Sequence, residues 1–281
     1  MALSLKESPL PDEVSTIRPA QTPPVLPMRH LTLALALSTA LAACGAPSAS
    51  VTPFIASVGI DGDLGVGDGA GTSVASSFDD LGLDDNEAVV GGLVRLNFAG
   101  AELSISGYGV DFEGTGTATG NFEYQGSVIT AGTNVASDIQ LDTARALFTW
   151  DIIPLDGLDL GLGFGATLLD LDFRLQEIGG AGTTIESEEL IPVPLLAARA
   201  AWTWGPVALR ADAGGLVVEY DESEASIFDI GISASVDLFG IGDLVVGYKT
   251  MKIDAEYTDD DAQIDTDLDL SGYYMGAQFS F

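Results

Sequence analysis

The sequence has one cysteine, Cys44, and one histidine, His30, and both fall within its first 44 residues. A lone cysteine excludes an intramolecular disulfide. Without a histidine beyond residue 30, the chain lacks the usual general base for chemistry near neutral pH. Ser-His and Cys-His nucleophiles and most zinc sites go with it. Basic residues are scarce as well: ten Lys and Arg stand against 42 Asp and Glu, for a net charge of −32. Lys6, Arg18 and Arg29 balance Glu7, Asp12 and Glu13, so the whole excess belongs to residues 45–281. Such a surface repels nucleic acid and favours divalent cations. From Val51 on, no uncharged apolar stretch reaches the roughly 18 residues that a membrane helix needs.

Yet mean hydropathy is +0.31, and 47% of residues are hydrophobic. High charge and high hydropathy coexist only if the two are segregated along the chain. The stretch Gly157–Leu168 shows how. One parity carries Leu158, Leu160, Leu162, Phe164, Ala166 and Leu168, and the other carries Gly157, Asp159, Gly161, Gly163, Gly165 and Thr167. A period of two is a β-strand with one apolar and one small or polar face. Nine further stretches read the same way: 53–61, 88–98, 101–112, 139–152, 190–204, 207–220, 226–238, 243–257 and 264–281. In the first, Phe54, Ala56, Val58 and Ile60 share the apolar parity. Pro192 and Pro194 make the upper end of 190–204 a poor ladder partner, so that strand is expected to start late. The strands at 101–112, 243–257 and 264–281 change phase midway, which predicts bulges or strands that continue beyond a membrane.

The connections alternate in length. Short ones lie at 99–100, 153–156, 205–206 and 240–241; longer or more acidic ones lie at 62–87, 113–138, 172–189, 221–225 and 258–263. The expectation is an all-β fold, a closed antiparallel transmembrane β-barrel of about ten strands, with eight or twelve as alternatives. Short periplasmic turns and long acidic extracellular loops belong to that architecture. Phe98, Trp150, Trp202, Trp204 and Phe239 cluster at the short turns, and Phe279 ends the last strand at the same level. Together they predict an aromatic girdle at one lipid–water boundary. Phe112, Phe173, Tyr220 and Tyr257 stand where an outer girdle would lie.

A lipocalin-like barrel would turn the apolar face inward instead. Export, the girdle and the charges on the polar parity favour lipid on the apolar side. Arg95, Arg145, Arg199 and Arg210 fall on the polar parity with Asp151, Asp159, Asp212, Asp229 and Asp237. They predict a lumen filled by ion pairs and small residues.

Residues 1–27 are proline-rich and aperiodic, like a leader or a start codon placed too early. Residues 28–50 read as a signal peptide: Met28-Arg29-His30 is a basic n-region, and Leu31 to Ala43 is an apolar h-region too short to span a membrane. Leu41-Ala42-Ala43-Cys44 matches the bacterial lipobox, a family pattern in which the cysteine is lipidated. Ordinary cleavage within 42–50 is the alternative, and both readings export the domain at 51–281.

Two acidic clusters are candidates for loosely held Ca²⁺ or Mg²⁺. One comprises Asp61, Asp63, Asp68, Asp79, Asp80, Asp84 and Asp85; the other comprises Asp254, Glu256, Asp259, Asp260, Asp261, Asp265, Asp267 and Asp269, with Asp259, Asp260, Asp261 and Asp265 as the candidate ligands. Neither has EF-hand spacing, and no other cofactor is expected. The alternating end Tyr273, Met275, Ala277, Phe279, Phe281 resembles the C-terminal signal of bacterial outer-membrane proteins, with Phe281 as the terminal residue. That resemblance implies the barrel-assembly machinery as a folding partner. The run Phe78-Asp79-Asp80-Leu81-Gly82-Leu83-Asp84-Asp85 resembles a stretch in an uncharacterised family of small proteobacterial outer-membrane barrels. Its leucines predict a short turn tucked against the barrel mouth.

The function expected is a structural or surface-interaction barrel in the outer membrane of a Gram-negative bacterium, non-enzymatic. Its partners would be membrane lipid and lipopolysaccharide, not nucleic acid. The alternative is a narrow, porin-like channel for a small or apolar solute. Ten strands leave little open lumen, since aqueous porins use about 16–18.

Overall fold

A computed structural model describes residues 48–67, 75–83, 86–98, 100–124, 127–155, 157–180, 182–220, 223–238, 240–259 and 262–281. Residues 1–47, where a leader and a signal peptide with Cys44 are expected, and Asp68, Asp84, Asp85, Phe239, Asp260 and Asp261 lie outside the described residues. So do the side chains of Tyr220, Tyr257, Asp259 and Asp265.

Ten long strands form: β1 (Ser48–Gly67), β2 (Glu87–Phe98), β3 (Ala101–Thr117), β4 (Asn134–Leu155), β5 (Leu158–Glu177), β6 (Thr184–Trp204), β7 (Val207–Tyr220), β8 (Ser223–Asp237), β9 (Asp243–Asp259) and β10 (Ala262–Ser280). Each pairs antiparallel with its sequence neighbours, and β10 returns to β1 from Ser50↔Ser280 to Gly67↔Gln263. The sheet is a closed, ten-stranded antiparallel barrel, as the alternation predicts. Closure is what satisfies the backbone of a strand that would otherwise be an edge. Two short pieces are added at the long-loop end. Ser76–Ser77 pairs with β1, and Phe122–Tyr124 with Ser127–Ile129 makes a small hairpin inside the β3–β4 connection.

The strands are longer than their sequence windows. β4 has 22 residues and β5 has 20, twice the roughly 9–11 that cross a bilayer. The extra length lies at the long-loop end, so the expected loop at 172–189 shrinks to a hairpin tip between Glu177 and Thr184. β6 does not start late. It runs from Thr184 and pairs with β5 along its whole length, through both prolines. The prolines act on its other edge, where the ladder to β7 stops at Leu196↔Gly215.

Polarity inverts along the barrel axis. Near the short turns the outward parity is apolar and exposed: Ile55, Val90, Ile105, Trp150, Leu162, Phe164, Leu196 and Ile232. Farther up the same parity becomes Asp61 and Asp63 on β1, Asp111 on β3, Asp142 on β4 and Asp170 on β5, all exposed. The inward parity does the reverse. Arg145, Thr149 and Asp229 give way to Val110, Phe112, Ile139, Leu141 and Leu175, all buried. The lower half is thus dressed for hydrocarbon outside, and the upper half for water outside. Burying each large side chain in the upper core contributes roughly 1.5–3 kcal/mol.

This inversion corrects one expectation. Val58 and Ile60, with Phe54 and Ala56 on the same parity, point inward rather than to lipid, and Val51 and Ile55 are the outward apolar residues of β1. The phase changes in β3, β9 and β10 mark strands leaving the bilayer, since their ladders run without a register shift. The one shift is a bulge in β4 between Asp151 and Ile153, which leaves both Ile152 and Ile153 exposed.

Candidate functional site

The lumen has three layers. The lowest is charged. Arg145 on β4 donates Nη1 to Asp229 Oδ1 on β8 at 2.6 Å, and Lys249 Nζ on β9 lies 3.1 Å from the other Asp229 oxygen. Glu102 on β3 takes two guanidinium groups: Arg199 Nη1 on β6 at 3.0 Å and Arg210 Nη1 on β7 at 3.0 Å. Arg199 also pairs with Asp151 on β4. Arg210 holds Asp212 through Nε and Nη2, both at 2.8 Å. Arg95 Nη1 on β2 reaches Gln278 Oε1 on β10 at 3.0 Å, and Gln278 Nε2 donates to Asp243 at 2.9 Å. The bonds cross the lumen as well as running along the wall, so opposite strands are tied together.

Small residues make room for these arms. Gly161 on β5 faces Arg199, and a Cβ there would stand 3.1 Å from the guanidinium Nε. Arg199 accounts for Gly161 alone; at Gly163 and Gly165 a Cβ would come within 1.9 and 2.2 Å of the Phe148 and Ala146 carbonyls of β4, so those glycines answer to the neighbouring backbone. Such pairs are stabilising mainly in the negative sense: removing one partner strands a charge, at a cost of about 3–5 kcal/mol.

Seven of the nine charges singled out in the sequence meet in this layer: Arg95, Arg145, Arg199, Arg210, Asp151, Asp212 and Asp229. Asp159 and Asp237 do not; both are exposed near the short turns. Asp237 instead accepts the Gly240 N–H at 2.7 Å and closes the β8–β9 turn. Glu102 and Lys249 were not singled out. Glu102 shares its parity with Ser104 and Ser106, a polar-face signal that could have found it. Lys249 sits where β9 changes character, which hid its face.

The middle layer is a cavity of about 60 Å³, lined by Phe54, Leu93, Arg95, Tyr108, Lys249 and Tyr274 among others. It has room for a few waters. The top layer is apolar. Phe78, Leu81 and Leu83 of the acidic connection turn into the mouth and are fully buried against the core that holds Phe112, Val135 and Leu175. Phe122 and Ile129 of the small hairpin join them. The expected tucked turn is present. It fits because β3 offers glycine: a Cβ at Gly114 would come within 1.9 Å of the Gly82 carbonyl. Thr117 N–H donates to Asp80 O at 2.7 Å, and buried Ser76 Oγ accepts from Thr119 and Gly120 N–H.

Phe98, Trp150, Trp202, Trp204, Phe279 and Phe281 all face outward and exposed at the short-turn end. Trp202 and Trp204 stack with centroids 6.4 Å apart, and Trp150 packs edge-on against Phe148 at 4.6 Å. These side chains make an outward aromatic belt at this end; Phe239, which the sequence places with them, lies outside the described residues. The outer one is not formed by Phe112 or Phe173. Phe112 is 1% exposed inside the barrel, and Phe173 packs on the same core. At their height the outward positions are already polar, so an aromatic pays no role there.

Above the apolar band the outer wall is acidic. Asp61 stands directly across from Asp269, Asp63 from Asp267, and Asp142 from Asp170. Lys252 relieves Asp269 at 2.6 Å and Arg174 pairs with Glu186 at 3.2 Å. Among the described residues no group of three or more acidic, histidine or cysteine side chains is placed to hold a metal ion.

No family model and no curated protein matches this chain. Solved structures with a similar fold include the outer membrane protease OmpT of Escherichia coli, at 9% identity and TM-score 0.49, covering 84% of this chain and 96% of that one. Ail, the attachment invasion locus protein of Yersinia pestis, aligns at 11% identity and TM-score 0.32 over 83% of this chain and 99% of its own. The translocator domain of NalP from Neisseria meningitidis aligns at 14% identity and TM-score 0.37 over 88% and 94%. These likenesses concern the fold alone.

Proposed function

We propose that this protein is an outer-membrane barrel of a Gram-negative bacterium with a structural or surface-interaction role, and that it neither conducts nor catalyses. The observation that carries the reading is the double closure of the lumen. A charged layer bridges the lower half, and an apolar layer with its own tucked turn fills the upper half. Among the described residues, bridging charges and packed apolar side chains occupy the lumen at both heights, which opposes the passage of hydrated ions. The carboxylates of the charged layer are each held by a cation or an amide, so none stands as a free acid or base.

What the barrel offers the exterior is its acidic upper wall. Lipid and lipopolysaccharide are its immediate partners, with Ca²⁺ or Mg²⁺ bridging acidic side chains to lipid phosphates. Phe281 with its alternating strand is the signal to the assembly machinery, and Cys44 is the site of lipidation. Planar-bilayer recording tests the central claim. The native protein is expected to give no reproducible open state; steady unitary currents would favour the narrow-channel alternative. Outer-membrane fractionation with intact mass measures location and Cys44 acylation together.

A further inference from the structure

The barrel wall is not bonded throughout. β6 keeps its ladder to β5 without a register shift from Leu158↔Trp202 to Gln176↔Thr184. Its ladder to β7 ends at Leu196↔Gly215, although β7 goes on pairing with β8 as far as Tyr220↔Ser223. Above Leu196, β6 and β7 therefore part.

The sequence encodes the parting. Successive residues of an antiparallel strand bond alternately to its two neighbours. Proline has no N–H to give. Because the β5 ladder is intact through Pro192 and Pro194, the absent donors are those that would have faced β7. They occupy the two bonding positions immediately above Leu196. Pairing here would form one bond per residue pair in place of two, so closing the wall at this place gains about half of what it gains elsewhere.

The depth is set by the register. Pro194 lies opposite Ala166 and Pro192 opposite Leu168, an exposed residue of the apolar band. One step higher, Leu190 faces exposed Asp170. The parting thus begins inside the apolar band and reaches its outer edge. Exposure of the inner face agrees. Leu169 and Ile191 are cross-strand partners of the same inward parity, yet Leu169 is 3% exposed and Ile191 is 42%.

A second parting shows what a filled one looks like. The β2–β3 ladder ends at Gly91↔Tyr108, and the 78–83 turn packs beside β3 above that point. Among the described residues, no such segment covers the β6–β7 parting. A peptide strand is a poor occupant, since the prolines deny it donors. Water is a poor occupant beside apolar side chains: half-buried Val193 and exposed Ile191 on one strand, half-buried Leu216 and exposed Val217 on the other. We infer that the wall is open to the bilayer between β6 and β7, and that an acyl chain of a membrane lipid occupies the opening. This does not rest on the axial closure argued above, and failure of either leaves the other standing.

The test uses a photoreactive benzoylphenylalanine placed singly at Ile191, Leu169 or Leu168 in the full chain. The protein is irradiated in native outer membranes and read by intact mass. Leu168 is the lipid-facing control and Leu169 the interior control. A phospholipid or lipid A adduct is expected at Ile191 with a yield within about twofold of Leu168, and none at Leu169. Ile191 behaving like Leu169 would overturn the inference. Replacing Pro192→Thr and Pro194→Thr restores both donors and is expected to lower the Ile191 yield at least fivefold, with Leu168 unchanged. An unchanged yield in that variant, with heat-modifiability intact, would also overturn it. Should the variant not fold, the Ile191 and Leu169 comparison decides alone.

Discussion

Arg145 and Asp229 meet across the lumen at 2.6 Å, from strands β4 and β8 that are not neighbours in the wall. Asp229 is wholly buried, and its other oxygen faces Lys249 at 3.1 Å. One carboxylate therefore serves two cations. Asp229→Asn leaves both under-compensated in a buried site, and the expected loss is about 3–5 kcal/mol. The measurement is the urea midpoint of the folded band on a heat-modifiability gel. The double replacement Arg145→Met with Asp229→Leu should recover much of the loss, though Lys249 then lacks a partner. A single Asp229→Asn midpoint within error of the native protein would mean that water already solvates this layer.

Glu102 holds Arg199 and Arg210 together, so Glu102→Gln should loosen two arms at once, leaving Arg199 to Asp151 and Arg210 to Asp212. Loosened arms do not open a channel, because the apolar layer still lies above them. The expectation is destabilisation without conductance. Arg145→Ser with Arg199→Ser should behave alike in planar bilayers. Unitary current should appear only when Phe112→Ser and Leu175→Ser are added, which wet the upper layer. Current from the arginine replacements alone would locate the whole barrier in the charged layer.

Gly114 and the 78–83 turn make a tight joint. A Cβ at Gly114 would stand 1.9 Å from the Gly82 carbonyl, and backbone cannot yield as a side-chain tip can. Gly114→Val should expel the turn while leaving the lower barrel folded. The readout is limited proteolysis on intact cells, with cleavage in 78–83 rising at least several-fold and the heat-modifiable band retained. If protection is unchanged, the turn is not seated on β3.

How far these features were legible in the sequence differs from residue to residue. Alternation gave the strands at once, and the short turns with their tryptophans gave the orientation. What alternation cannot say is which parity faces in. Phe54 to Ile60 is an apolar run like Leu158 to Leu168, yet the first points to the axis and the second mainly to lipid. Height explains the upper part, since Val58 and Ile60 stand next to outward Asp61 and Asp63, whereas Phe54 and Ala56 flank outward Ile55 within the apolar band and line the internal cavity. Height follows from register, and register is a property of strand pairs. Glu102 was hidden for a related reason. Its partners lie 97 and 108 residues away in the chain, so no local window contains the site.

The acidic upper wall carries a last expectation. Asp142 and Asp170 stand directly opposite each other on adjacent strands, exposed, and Asp61 with Asp269 repeats the arrangement. Like charges in that position destabilise a sheet by a few tenths to about 1 kcal/mol. Asp142→Asn should therefore raise stability by that amount at low ionic strength. The Debye length is about 10 Å at 0.1 M salt and about 3 Å at 1 M, so the gain should shrink as NaCl rises through that range. Millimolar Ca²⁺ should shrink it further if the wall is bridged by divalent cations, because the ion already relieves the native pair. Thermal melts of both proteins across NaCl and CaCl₂ series measure each part. A gain that ignores NaCl would mean that repulsion is not what holds the native wall back. A gain that falls with NaCl yet shows no added response to Ca²⁺ at matched ionic strength would remove the bridging role.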